Sequence, residues 1–219
     1  MSPSTPKSRA PTPDQRRLYR VCPYLGNAKD GEPGHPLHVP SPQGAGRLDN
    51  PEYYRVLYVS DHATGAVAEV FGNHGLWTPS LLAGPPALPG SVRALVTYGR
   101  PTGQVLDLDN ARALLARRLR PSEVVSRDHA TTQRWALAAF QERRWVGVRW
   151  WSYYEPRWGS LGLWNETGLR VLAVDALSFE HPAVAEASAV LARPIVRGRS
   201  PRTGRAAATP RAPSSGTRG

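Results

Sequence analysis

A single cysteine, Cys22, in 219 residues excludes an internal disulfide and any cysteine-rich metal cluster. No apolar run approaches the roughly 18–20 residues that a membrane-spanning helix needs. The N-terminal stretch MSPSTPKSRAPTPD is polar and proline-rich and has no apolar segment of the signal-peptide kind. The expectation is a cytoplasmic protein with no membrane association. Several motifs are also missing: the phosphate-binding Gly-x-x-x-x-Gly-Lys-Ser/Thr loop, Gly-x-Gly-x-x-Gly opening a helix, His-Glu-x-x-His, and the Gly-x-Ser-x-Gly elbow. The histidines are scattered, and His35 and His38 have no third candidate ligand nearby, so no metal site is expected. Cys22 has no histidine partner by spacing and reads as an inert thiol.

Positive charge, by contrast, is abundant: the formal net charge is +11. Its distribution matters more than its size. Residues 193–219 hold seven arginines and no acid, and residues 1–15 add a net of one, which leaves only +3 for residues 16–192. The body is mildly basic, so the charge describes a tail more than a binding groove. Both ends are rich in Pro, Ser, Thr, Gly, Ala and Arg. They read as disordered, 1–15 at the front and an Arg-rich tail at 193–219, because they cannot bury enough surface to offset ordering entropy. Nucleic-acid contact through that tail would be non-specific.

Between the ends, 22 prolines and 20 glycines across the chain imply many turns around short elements. Residues 23–53, with Pro23, Pro33, Pro36, Pro40, Pro42 and Asn50-Pro51, read as a long surface loop of the kind that often serves a binding site. Arg55–Ser60 (RVLYVS) reads as a strand, and Asp61 as the cap of a helix in which Ala63, Ala66, Val67, Val70 and Phe71 recur at helical spacing. Strands are expected at 92–98 and 104–108. A helix should open at Asp109 or Asn110 with Ala113, Leu114 and Leu115 inward and Arg112, Arg117 and Arg118 outward. A longer helix, 129–144, should bury Trp135, Leu137 and Ala138, with Phe140 as a further candidate. Strands follow at 146–150, 161–164 and 169–174, then a helix from Pro182 to about 192. Strands and helices mix without regular βαβ alternation, so the expected class is α+β, one domain over 16–192.

Four polar or aromatic features stand out in this frame. Arg47, in GAGRLDNPEYY, follows small residues that let backbone approach a ligand; it is either a phosphate clamp or an ordinary loop arginine. Tyr58 in its strand is either core or a platform for a flat heterocycle. Glu69 lies about 60° from Ala66 on the helical wheel, at the rim of the apolar stripe, either solvated or facing a pocket. The stretch Arg149-Trp150-Trp151-Ser152-Tyr153-Tyr154 belongs to a region, 135–164, that holds six of the seven tryptophans. It could be core, a single-strand stacking surface, or the wall of a cleft, and Ser152 needs a partner if buried.

Taken in order, Leu18-Tyr19-Arg20, GAGRLDNPEYYRVLYVS (44–60), ATGAVAEVFG (63–72) and RRWVGVRWWSYYEPRWGSLGLWNE (143–166) resemble the RES domain family, named for its Arg, Glu and Ser. The resemblance implies an ADP-ribosyltransferase-like α+β fold with a split sheet, which binds NAD⁺ as substrate, needs no further cofactor, and breaks the bond to nicotinamide. It implies a toxin that depletes NAD⁺ and is neutralised by a helix-turn-helix (Xre-type) antitoxin. Carried over residue by residue, Glu69 would be the catalytic carboxylate, with Arg47 and Ser152 beside it. Arg20 and Arg47 would hold the pyrophosphate, Tyr58 would stack on nicotinamide, Ser152 would meet the ribose or carboxamide, and Asn165 would take the polar place after the late strand. The acceptor could be water, phosphate or a protein side chain. Two other readings stay open: an ADP-ribosyltransferase modifying a specific protein, and a nucleic-acid-binding protein.

Overall fold

The computed structural model describes residues 17–196. Seven strands and five α-helices alternate in the order β1 (Leu18–Tyr24), β2 (Leu57–Ser60), α1 (Ala63–Phe71), β3 (Val92–Tyr98), β4 (Gln104–Asp107), α2 (Ala111–Arg117), α3 (Pro121–Val124), α4 (His129–Gln141), β5 (Trp145–Trp151), β6 (Gly159–Leu163), β7 (Val171–Ala176) and α5 (Pro182–Val190). The α+β class is as expected. The strands form one sheet in the order β4-β5-β6-β2-β1-β3-β7. Every neighbouring pair is antiparallel except β4 and β5, which run parallel.

The join between β2 and β1 is thin. β1 aligns with β3 along its whole length, but with β2 only at Tyr19↔Ser60. Two half-sheets, β4-β5-β6-β2 and β1-β3-β7, therefore diverge on either side of one aligned pair. β1 was not foreseen, because Pro23 reads as the start of a loop. A proline is tolerated there because that end of β1 pairs with β3 alone and its other edge needs no amide donor.

Strand alternation sends side chains to two faces. On one face α1 and α5 cover Val21 and Leu95, while α3 and α4 cover Leu106, Val148 and Trp150. The other face packs Leu18, Cys22, Leu57, Val59, Val96 and Leu161 against Val39. The segment expected as a surface loop thus supplies core. It is held down by Tyr98, whose hydroxyl donates to the Pro36 carbonyl at 2.6 Å. Cys22 is buried in this layer, and burial pushes its thiol pKa up, in keeping with an inert role.

Other local expectations shift. Asp61 does not cap α1: His62 takes that position without a side-chain bond. The Asp61 carboxylate instead accepts from the Gly159 amide at 2.7 Å and from Arg149 Nε at 2.9 Å. Asn110 is the cap of α2. In that helix Leu115 is exposed rather than inward, whereas Arg117, expected outward, lies against Glu142 at 2.6 Å. α4 buries Thr132, Trp135, Ala136 and Ala139 rather than Leu137 and Ala138, a face rotated by one position. Order also runs past residue 192. The Val196 amide donates to the Trp77 carbonyl at 2.8 Å and the Trp77 amide to Pro194 at 2.9 Å. The disorder expected for 1–15, and for the tail beyond 196, lies outside the described residues.

Gly65 sets the distance between α1 and the sheet. A Cβ there would fall 2.7 Å from Ser60 Oγ and 3.1 Å from Trp158 Cβ. Ser60 cannot swing aside freely, since its hydroxyl donates to the Gly159 carbonyl at 2.9 Å and accepts from the His62 amide at 3.1 Å. Gly65→Ala is expected to destabilise the protein by about 1–3 kcal/mol despite alanine's better helix propensity. Urea unfolding checks this; equal or greater stability would show that α1 has slack against the sheet.

Candidate active site

Between the two helical layers lies a cleft of about 380 Å³, over the diverging strands β1 and β2; its lining includes Arg20, Arg47, Tyr58, Glu69, Trp150 and Ser160. That volume is near the lower end of ligand pockets, roughly 300–1,000 Å³. Four of the expected site residues, distant in sequence, therefore converge here: Arg20, Arg47, Tyr58 and Glu69.

Glu69 stands one turn beyond Gly65 on α1, where the close approach of helix to sheet brings its carboxylate to the strands. Its Oε1 accepts from Ser152 Oγ at 2.7 Å and from Ser160 Oγ at 3.0 Å. Both serines are buried, at 0% and 5% exposure, so each hydroxyl needs the partner it has. Ser152 is fixed in turn: its amide donates to the Trp158 carbonyl at 2.7 Å, and its Oγ accepts from the Tyr154 amide at 3.2 Å. Ser152 does not line the cleft itself; its hydroxyl donates to the carboxylate that does.

Arg47 is half-buried. Its Nη1 donates to the Val124 carbonyl at 2.8 Å and to Ser126 at 2.7 Å, at the end of α3. Burial lowers its pKa, and the nearby charge of Glu69 opposes that shift; a guanidinium stays charged under such pressure. No hydrogen bond among the described residues engages its Nε or Nη2. Arg20 is held similarly. By register it shares the face of Cys22 and Val96, and its Nη1 donates to His38 at 2.8 Å and Pro36 at 3.3 Å. It reaches the cleft at the gap between the half-sheets.

The loop carrying Arg47 is braced by Asp49, a buried carboxylate that the sequence reading passed over. Its Oδ2 accepts from the Gly46 amide at 2.7 Å and the Gly44 amide at 2.9 Å, and its Oδ1 from the Tyr58 hydroxyl at 2.7 Å. Tyr58 also accepts from the Leu48 amide at 2.9 Å. Burial, reinforced by the bond to Asp49, raises the phenol's pKa well above its ordinary value. With its hydroxyl so committed, Tyr58 offers the cleft its ring. Gly46 is obligatory here: a Cβ would sit 2.5 Å from the Tyr58 hydroxyl and 2.6 Å from Asp49 Oδ1.

Asn165 does not join the site. It is exposed, does not line the cleft, and its Oδ1 accepts from the Thr167 amide at 2.9 Å in a local turn. The tryptophan-rich stretch is mostly core: Trp135 and Trp150 are buried in the α4 layer, with Trp145, Trp151 and Trp164 packed against it. Only Trp150 of that set also walls the cleft. Ser160 was missed as well, although β6 carries a signal for it. Small residues, Ser160 and Gly162, alternate with Leu161 and Leu163, so one strand face leaves room for a neighbour.

These features define an α+β protein with a helix-borne carboxylate fixed by buried hydroxyls at a split in the sheet. The fold is similar to that of a chain in the crystal structure of the M. tuberculosis MbcT-MbcA toxin-antitoxin complex, with a TM-score of 0.51 and 17% identity over 81% of this chain and 89% of that one. Residues 17–182 match the RES domain model, and the chain belongs to the RES domain family. No curated protein matches it. Among the described residues no helix is long and apolar enough to cross a membrane.

Asp49 generates a prediction about the scaffold. Asp49→Ala would strand two amides and a phenol in a buried setting. The expected cost is on the order of 3 kcal/mol, read as a lower urea midpoint with unchanged slope. Wild-type stability would show that water replaces the carboxylate there.

Proposed function

We propose that the protein cleaves NAD⁺ at the nicotinamide–ribose bond, as a glycohydrolase or phosphorylase, and acts in the cytoplasm as a toxin that depletes NAD⁺ until a helix-turn-helix antitoxin covers it. Membership of the RES family and a fold shared with a chain of a toxin–antitoxin complex support this reading. The observation that carries it is Glu69, one of whose oxygens is tethered by Ser152 and Ser160 within the cleft.

The chemistry asks little beyond such a group. The nicotinamide ring, cationic in NAD⁺, takes the bonding pair and leaves as a neutral molecule, so no general acid is required. What remains is a ribosyl cation of oxocarbenium character. A preorganised carboxylate stabilises developing charge of this kind, as in glycoside cleavage. Glu69 takes that role. Arg47 and Arg20, each anchored through Nη1, present their remaining N–H groups to the pyrophosphate. The Tyr58 ring stacks on nicotinamide. Water or phosphate then adds to C1″ of the ribose that carried nicotinamide, giving ADP-ribose with one proton of the water passing to solvent, or ADP-ribose 1″-phosphate.

Nicotinamide release by purified protein tests the proposal. Glu69→Gln is expected to lower the rate about 10²- to 10³-fold with NAD⁺ binding retained. Release that requires added phosphate identifies phosphorolysis, and release without it identifies hydrolysis. An undiminished rate in Glu69→Gln would remove the carboxylate from the mechanism. If folded wild type releases nicotinamide only with a protein acceptor present, the activity is ADP-ribosyl transfer instead.

A further inference from the structure

The two serines on Glu69 are not equivalent. Ser152 is built into the turn after β5, since its Oγ also accepts from the Tyr154 amide. Ser60, opposite Ser160 on β2, bonds only backbone, at Gly159 and His62. Ser160 Oγ has one hydrogen bond among the described residues, to Glu69 Oε1 at 3.0 Å. It caps nothing and closes no turn. On β6 it pairs with Trp150 and Ser60. A buried hydroxyl with no structural duty, aimed at the carboxylate, calls for a functional account.

From this placement we infer that Ser160 is a positioning residue, which acts through Glu69 and fixes the direction of its second oxygen. This rests on the NAD⁺-cleaving reading of the site. Two donors converging on Oε1 occupy that oxygen, and a rigid carboxylate then presents Oε2, which no described residue engages, as its open face. One donor already restrains the last torsion, because rotation would carry Oε1 away from it. The second narrows the orientation further, because the serines reach that oxygen from different elements, the turn after β5 and strand β6. Orientation fixed before reaction affects the charge that develops in the transition state more than substrate binding.

The test is steady-state nicotinamide release by wild type, Ser160→Ala and Ser160→Cys. Cysteine has nearly the same shape but is a weak donor, and it keeps the question answerable should alanine impair folding. A hydrogen bond to a charged group corresponds to roughly a 10- to 100-fold effect on rate. Both variants are expected to lose about that much in kcat, with KM and the thermal midpoint close to wild type. Wild-type kcat in either folded variant overturns the inference, as does a change confined to KM. A wild type that releases no nicotinamide overturns the underlying reading and the inference with it. An active wild type matched by Ser160→Ala overturns the inference alone.

Discussion

The thin seam between β2 and β1 is the constraint on which the rest of the structure depends. A fully paired sheet would present a continuous surface, and α1 would lie across it as an ordinary packed helix. Here one aligned pair, Tyr19 with Ser60, holds the halves together while the strands diverge. The gap exposes residues from both sheet faces to one cleft, which is why Arg20 and Tyr58, on opposite faces by register, both line it. The seam also needs bracing from outside the ladder. The 25–56 segment supplies it on one face, through Val39 and the bonds from Arg20 and Tyr98 to its carbonyls. α1, drawn close by Gly65, supplies it on the other.

A second brace is electrostatic. Arg149 on β5 meets Asp61, just after β2, at 2.9 Å, and Asp107 and Asp109 at 3.1 and 3.2 Å. Burial works against its charge, yet the Asp61 hydrogen bond and the surrounding carboxylates outweigh it and raise the pKa. Exposed ion pairs contribute little singly. This one is partly shielded and shared among three acids, so it fixes the entry into α1 and hence the height of Glu69. The site itself is arranged differently, with opposite charges on Glu69 and Arg47 kept apart from direct pairing. Each is anchored by neutral groups, hydroxyls for the acid and carbonyls for the arginine. Their charges stay available to a ligand.

Much of the frame was legible in the residues. The α+β class follows from short β-branched runs mixed with helical periodicity, and α1 from the spacing of Ala63, Ala66, Val67, Val70 and Phe71. The wheel put Glu69 at the edge of that stripe, which left a solvated rim residue and a pocket-facing acid both open; only packing placed it in the cleft. β1 was hidden by Pro23, whose tolerance depends on which edge of the strand is paired. The partner of Ser152 was hidden for a similar reason: sequence can show that a small polar residue sits among bulky ones, but not which group takes its proton.

By itself, then, the sequence determined most of the local elements, the family and several of the polar groups that disrupt an otherwise apolar pattern, because these depend on periodicity and residue type along the chain. Only the tertiary structure decided that Arg20 and Tyr58 meet across a seam, that Asp49 braces the Arg47 loop, that Ser160 joins Ser152 on one carboxylate oxygen, and that Asn165 stays outside. Each of those depends on register and strand divergence, which bring together residues up to about ninety positions apart, as with Glu69 and Ser160. Such pairings are fixed by packing between elements, and no local pattern carries them.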